Sequence, residues 1–269
     1  MKFKVLELGD FVKTNDENYL INTNSLQTIK QPFLEPISDI VNHYCNIFKN
    51  KIHSIYLRGS VARGKAIINF SDYDCFAILE EPATEQEIYA IRLIEKELLI
   101  KYKFVSNFDL YYINYNDLIT KEDYSHWIFT IEIQSVFLFG NNLINKLSKF
   151  RPNKEIAFAI QHLEISINKA SSKLQQVFEP SLTKYWCSWI CRKFVRCGLE
   201  LVIEQEKQYT NELFLCYKTF SKYYPDKKND MELALNLSIN PTIVIEDILS
   251  LIKSLGHWLI EERIRKYSK

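Results

Sequence analysis

Apolar residues recur along this chain with two different periods, and the change comes near its middle. In the first half, short runs of branched and aromatic residues alternate with helical stretches. Residues 25–50 place Phe33, Ile37, Ile40, Val41, Tyr44 and Phe48 at helical spacing, which predicts a helix with Pro32 and Pro36 near its start. Residues 52–57 read as a short strand ending at Arg58-Gly59, and residues 72–79 as a second, closed by Glu80-Glu81-Pro82. Thr84 followed by Glu87 predicts a capping box that opens a helix reaching about Tyr102. Residues 104–114, rich in aromatic and branched side chains, predict a third strand.

Beyond Phe150-Arg151-Pro152 the pattern becomes helical throughout. Ile156, Ile160, Leu163, Ile167, Ala170, Leu174 and Val177 follow alternating gaps of four and three, one apolar stripe ended by Pro180. Further helices are predicted over 182–207, 210–223 and about 242–266, the last with Ile245, Ile248, Ile252, Leu255 and Leu259 on one side. Such stripes pack against each other, so the second half reads as a helical bundle. The fold class is α+β, with an N-terminal mixed sheet and flanking helices at 1–150 and a helical domain at 151–269.

Composition narrows the function classes. The 269 residues are 47% apolar and 25% charged, the mix of a globular protein long enough for two modest cores. A net charge of +1 gives little attraction for a phosphate chain, which disfavours nucleic acid as partner. The closing cations Arg263, Arg265, Lys266 and Lys269 read as a solvated helix end. The start, Met1-Lys2-Phe3-Lys4-Val5-Leu6-Glu7, has charges where a signal peptide needs an apolar run, and no stretch reaches bilayer-spanning length. A cytoplasmic protein without a membrane partner is expected. The six cysteines lack zinc-ribbon spacing; Cys187 and Cys191, four apart, read as buried thiols in a reducing compartment.

Candidate chemistry gathers in Leu57-Arg58-Gly59-Ser60-Val61-Ala62-Arg63-Gly64-Lys65 and Ser71-Asp72-Tyr73-Asp74-Cys75-Phe76-Ala77-Ile78. Residues two apart in a strand share a face, so Asp72 and Asp74 project together and repel unless a cation lies between them. Magnesium prefers such oxygen ligands and keeps positions for substrate phosphates. The Gly59-Ser60 step leaves a strand and enters a helical turn, where backbone N–H groups and the serine hydroxyl can receive phosphate oxygens. Asp109, set among Phe108, Leu110 and Tyr111, is a third acid whose burial is costly without a positive partner. Three acids facing a glycine–serine turn describe a metal–triphosphate site. Gly59-x-x-x-x-Gly64-Lys65 also approaches a P-loop, the alternative being an NTPase, but Ala66 stands where that motif needs Ser or Thr.

Gly-Ser, a spacer, Asp-x-Asp and a later single acid resemble the polymerase-beta-type nucleotidyltransferase superfamily. The helical second half makes the chain look most like the aminoglycoside adenylyltransferase branch. The resemblance implies that Gly59, Ser60 and Ser71 bind the nucleotide, and that Asp72 and Asp74 hold Mg²⁺. It implies that Asp109 is a third metal ligand or the general base, a role often taken by glutamate in that branch; Glu164 is the other candidate base. It also implies a lysine of the helical domain on the phosphates, for which Lys207 is the placement, with Arg192, Lys193 and Arg196 as neighbouring cations on one helix. Tyr185, Trp186 and Trp189 are candidates to stack on an acceptor. The implied reaction moves AMP from Mg-ATP to a hydroxyl of a small acceptor, aminoglycoside-like or otherwise, bound between the two domains. A protein acceptor is the other outcome.

Overall fold

The strand-forming runs assemble into one four-stranded sheet in a computed structural model that describes residues 3–176 and 179–267. Val177 of the apolar stripe, Lys269 of the basic end and Met1-Lys2 lie outside the described residues. The strands are β1 (Ile52–Arg58), β2 (Tyr73–Leu79), β3 (Phe108–Asn114) and β4 (Val136–Gly140), in the order β3-β2-β1-β4. β1 runs antiparallel to β2 and β4, while β2 and β3 are parallel. A parallel pair needs a crossover, and here a helix supplies it.

Three helices precede or interrupt the strands, namely α1 (Pro36–Phe48), α2 (Gly59–Ala62) and α3 (Glu85–Lys101). α1 begins eleven residues later than the pattern predicts. Pro36 takes the first turn, where its missing N–H costs nothing, and Pro32 leaves the preceding segment in turns. The capping box opening α3 is present, with Glu87 N–H donating to Thr84 Oγ1 and Thr84 N–H donating to Glu87 Oε2. β3 starts at Phe108 because a turn at 103–104 and a bend at Ser106 precede it, where Ser106 N–H donates to the carbonyl of Ser71. Two short helices unread in the sequence follow, α4 (Tyr115–Thr120) and α5 (Ser125–Phe129).

The pleat divides this unit into two cores. Ile55, Leu57, Cys75, Ala77 and Leu110 pack with Ile40 and Tyr44 of α1 and Ile91 and Leu98 of α3. Tyr56, Phe76, Ile78 and Ile113 form the opposite face with Leu118 and Ile131. Alternation assigns Arg58, Asp74 and Asp109 to this second face, at the end of the sheet where its apolar packing stops.

The chain divides into two compact units, the sheet unit being 13–15 with 19–150. The other takes everything from Arg151 onward and also the described N-terminal residues as far as Val12, together with 16–18, which the sequence places with the first domain. Phe3 exchanges backbone hydrogen bonds with the Asn240 side chain, and Val12 N–H donates to Tyr209, a pairing that periodicity does not reveal.

This second unit holds α6 (Phe158–Gln161), α7 (Leu163–Gln176), α8 (Pro180–Glu206), α9 (Leu213–Tyr223), α10 (Lys228–Ile239), α11 (Ile245–Leu251) and α12 (His257–Tyr267). The stripe from Ile156 to Leu174 is buried throughout, although the helix is interrupted at His162. α8 is the central element, with Cys187, Ile190, Cys191, Phe194, Val195 and Leu201 all fully buried. At Gly198 an added Cβ would press on Met231 and Phe220, so α9 and α10 approach α8 closely there. All six cysteines are free thiols. No described helix is long and apolar enough to cross a membrane.

Candidate active site

The register of the sheet places the candidate chemistry in one row. Arg58 closes β1 opposite Asp74 of β2, and Asp74 in turn pairs with Asp109 of β3. An Arg58 guanidinium nitrogen donates to Asp74 Oδ1 at 2.7 Å. The same guanidinium lies over the rings of Tyr111 at 5.6 Å and Trp127 at 5.7 Å. In the sequence Arg58 stands out only as the residue before Gly59, its one cue being a cation at the end of a buried strand.

Gly59 has φ +81°, a left-handed conformation that favours glycine, and a Cβ there would collide with the Asp74 carboxylate. The glycine is thus required by the acid next to it as well as by the turn. Ser60 begins the body of the one-turn helix α2, and its Oγ is buried without a hydrogen-bond partner. A buried hydroxyl of that kind costs free energy until something accepts or donates to it. Ser71, also buried, accepts the Ile67 N–H on its Oγ at 2.9 Å, which fixes the loop leading to Asp72. Asp72 lies just before β2 and is partly exposed.

Asp109 accepts a hydrogen bond from Asn107 Nδ2 at 2.8 Å. Burial, and then the negative charges of Asp74, Asp72 and Glu95, push its carboxyl up to about 6, with Arg58 opposing. The charges of Asp74 and Asp72 thus reach Asp109, which holds a proton far better than an ordinary aspartate. Beside it opens a depression of about 260 Å³, bounded by Arg92 and Glu95 of α3 and by Asn107.

No three of the described His, Cys, Asp and Glu side chains converge closely enough to cage a metal ion, so the expected three-acid cage is not preformed. Asp74 instead has one oxygen on Arg58. The donor set still fits magnesium, which needs only one or two carboxylates when phosphate oxygens and water complete its shell. Asp72 and Asp74 are such a pair.

The P-loop alternative finds no matching geometry. α2 ends after one turn, β1 and β2 are antiparallel, and Gly64 (φ +66°) is required because a Cβ would meet the Thr28 carbonyl. In the helical unit, Lys207 is an exposed left-handed cap ending α8, and Glu164 is exposed in the first turn of α7. Lys193 lies 5.1 Å from the Trp189 ring centre, and Trp186 and Trp189 pack partly against the bundle core, with Tyr185 exposed.

Comparison with known proteins bears on this arrangement. The family model of the nucleotidyltransferase domain matches residues 37–140, which span α1 through β4 and include the whole Arg58–Asp109 row. No curated protein matches the sequence. Among solved structures, spectinomycin adenyltransferase AAD(9) from Enterococcus faecialis, crystallised with ATP and spectinomycin, superposes with a TM-score of 0.55 at 15% identity. The match covers 84% of this chain and 98% of that one, a likeness of fold that extends over the sheet and the helices alike. Residues 37–140 of this chain thus match a nucleotidyltransferase domain, and the likeness to the solved structure is one of fold.

Proposed function

We propose that the protein transfers AMP from ATP to a hydroxyl group of a small-molecule acceptor and releases pyrophosphate. The observation that carries this reading is the pairing of Asp74 with Asp109 beside the Gly59–Ser60 turn, with Asp109 raised to about 6. A base works best when its affinity for a proton lies near the operating pH, and a carboxylate so adjusted can take a proton from a sugar-like hydroxyl. The freed oxygen then attacks the α-phosphorus. A new phosphorus–oxygen bond forms as the bond to the bridging oxygen of pyrophosphate breaks, and the acceptor's proton passes to Asp109. Gly59 lets the backbone approach the triphosphate, and the unpartnered Ser60 Oγ donates to a phosphate oxygen. Asp72 and Asp74 would hold Mg²⁺, whose chemistry is to neutralise phosphate charge and stabilise the leaving pyrophosphate. Ser71 keeps Asp72 in place, and Lys207 is the proposed phosphate contact from the helical unit.

The structural neighbour's acceptor, spectinomycin, makes aminocyclitol and aminoglycoside antibiotics the first acceptors to try. The protein is incubated with ATP labelled at the α-phosphate, Mg²⁺ and a panel of such antibiotics, other polyols and cell extract. Pyrophosphate release with label on a small acceptor is expected, and D72N/D74N should lose at least about a thousandfold in turnover. Release of orthophosphate, or full turnover by the double variant, would overturn the reading. Label on a protein band alone would move the acceptor to the protein class.

A further inference from the structure

The site carries a cation of its own. We infer that Arg58 is a resident counter-ion for Asp74, one that holds this carboxylate before nucleotide binds and makes divalent-metal binding depend on the triphosphate. This rests on the proposed placement of the metal at Asp72 and Asp74.

Three observations point to it. First, Arg58 and Asp74 are register partners at the end of β1 and β2, joined at 2.7 Å with side chains only 29% and 12% exposed. A pair so shielded from water is strongly attracted, so an incoming cation must compete for the carboxylate. Second, the guanidinium is held from both β3 and α5, over the rings of Tyr111 and Trp127. Tyr111 lies two residues beyond Asp109 on the same strand, so the platform that fixes Arg58 is built into the row of acids. Third, Arg58 Nε is buried without a hydrogen-bond partner. The guanidinium thus spends only part of its donor fork on Asp74.

Those properties define an exchange. Magnesium or manganese arriving alone would have to take Asp74 from Arg58, leaving a half-buried guanidinium without its acid. A triphosphate arriving with the metal supplies oxygens that suit the planar fork of arginine, so Arg58 passes from carboxylate to phosphate as Asp74 passes to the metal. Binding of metal and nucleotide is then coupled, and by linkage each tightens the other to the same degree. An apolar residue could end the strand equally well, but it would remove the cation that meets Asp74 Oδ1.

The test measures Mn²⁺ binding to the full chain by electron paramagnetic resonance, with and without α,β-methylene-ATP, alongside analogue binding in EDTA. Wild-type protein should bind Mn²⁺ weakly alone and about 10-fold or more tightly with the analogue. R58Q should bind Mn²⁺ alone about 10-fold more tightly than wild type, lose most of the analogue's enhancement, and bind the metal-free analogue more weakly. R58K, which keeps the charge but not the planar fork, should fall between them and serves if R58Q does not fold. Weaker or unchanged Mn²⁺ binding in R58Q and R58K would overturn the inference, since Arg58 would then only be orienting Asp74. D74N separates the two levels. If D74N leaves Mn²⁺ binding intact, the metal placement itself fails. If D74N abolishes it while the Arg58 variants bind as wild type, only the counter-ion role fails.

Discussion

Asp109 is raised by burial and by its acidic neighbours, so folding brings together charges that an unfolded chain keeps apart. For an acid whose folded value lies above its unfolded one, stability falls as pH rises between the two, here from 3.8 to about 6, and stays lowered above. D109N removes that penalty together with the proposed base. The variant should melt higher than wild type in EDTA at pH 7.5, by on the order of 2 °C, while losing at least about a hundredfold in turnover. Calorimetry and the pyrophosphate assay read the two effects separately. A variant that melts lower and keeps its rate would remove Asp109 from the chemistry. At this scale the sequence already offered Asp72, Asp74 and Asp109 as candidates, because isolated acids beside apolar strand residues are conspicuous. Arg58 was not legible as a partner of Asp74, since a sequence separation of 16 hides a register that only pairing across the sheet creates.

Among elements, the ones read correctly are those whose pattern is local. The α3 capping box needs residues three apart, and the buried stripe of α7 needs only its own turns. The short elements after β3 were missed because tertiary partners hold them. Glu132 illustrates this, a buried carboxylate that accepts N–H groups from Asn145 at 2.7 Å, Lys146 at 3.1 Å and Leu147 at 2.7 Å. These bonds secure the turn after β4, and Tyr56 Oη accepts the Leu143 N–H beside it at 2.7 Å. E132A would take the side-chain acceptor from the Asn145 and Leu147 N–H groups, while Lys146 N–H keeps the Leu143 carbonyl, at a cost of roughly 2 kcal/mol. Urea unfolding should show that loss. A change under about 1 kcal/mol would mean that the turn finds other acceptors.

For the molecule as a whole, two separately built units make pH an informative probe. In the helical unit Glu200 is buried and accepts N–H groups from Ala159 at 3.1 Å and Ile160 at 2.7 Å. Burial raises its carboxyl from 4.5 to about 7, against those hydrogen bonds and the charges of Lys193 and Arg196. The folded protein therefore holds a proton that the unfolded chain releases between 4.5 and 7, and stability declines as pH rises through that window. The full difference corresponds to roughly 3 kcal/mol. Melting temperature should fall from pH 5 to pH 8 in wild type, and E200Q should flatten that slope. An equal slope in both proteins would assign the dependence to other groups.

The sequence by itself determined the α+β class, the helical second half and the presence of the Gly59-Ser60 and Asp72-x-Asp74 pieces. Each depends on neighbours within a few residues, where sterics and periodicity act directly. Tertiary structure alone decided that Asp74 pairs with Asp109 and Arg58, that Tyr111 and Trp127 form the platform under that arginine, and that the N-terminal segment joins the helical unit. Those are contacts between segments far apart in the chain, set by strand register and packing, which no local pattern encodes.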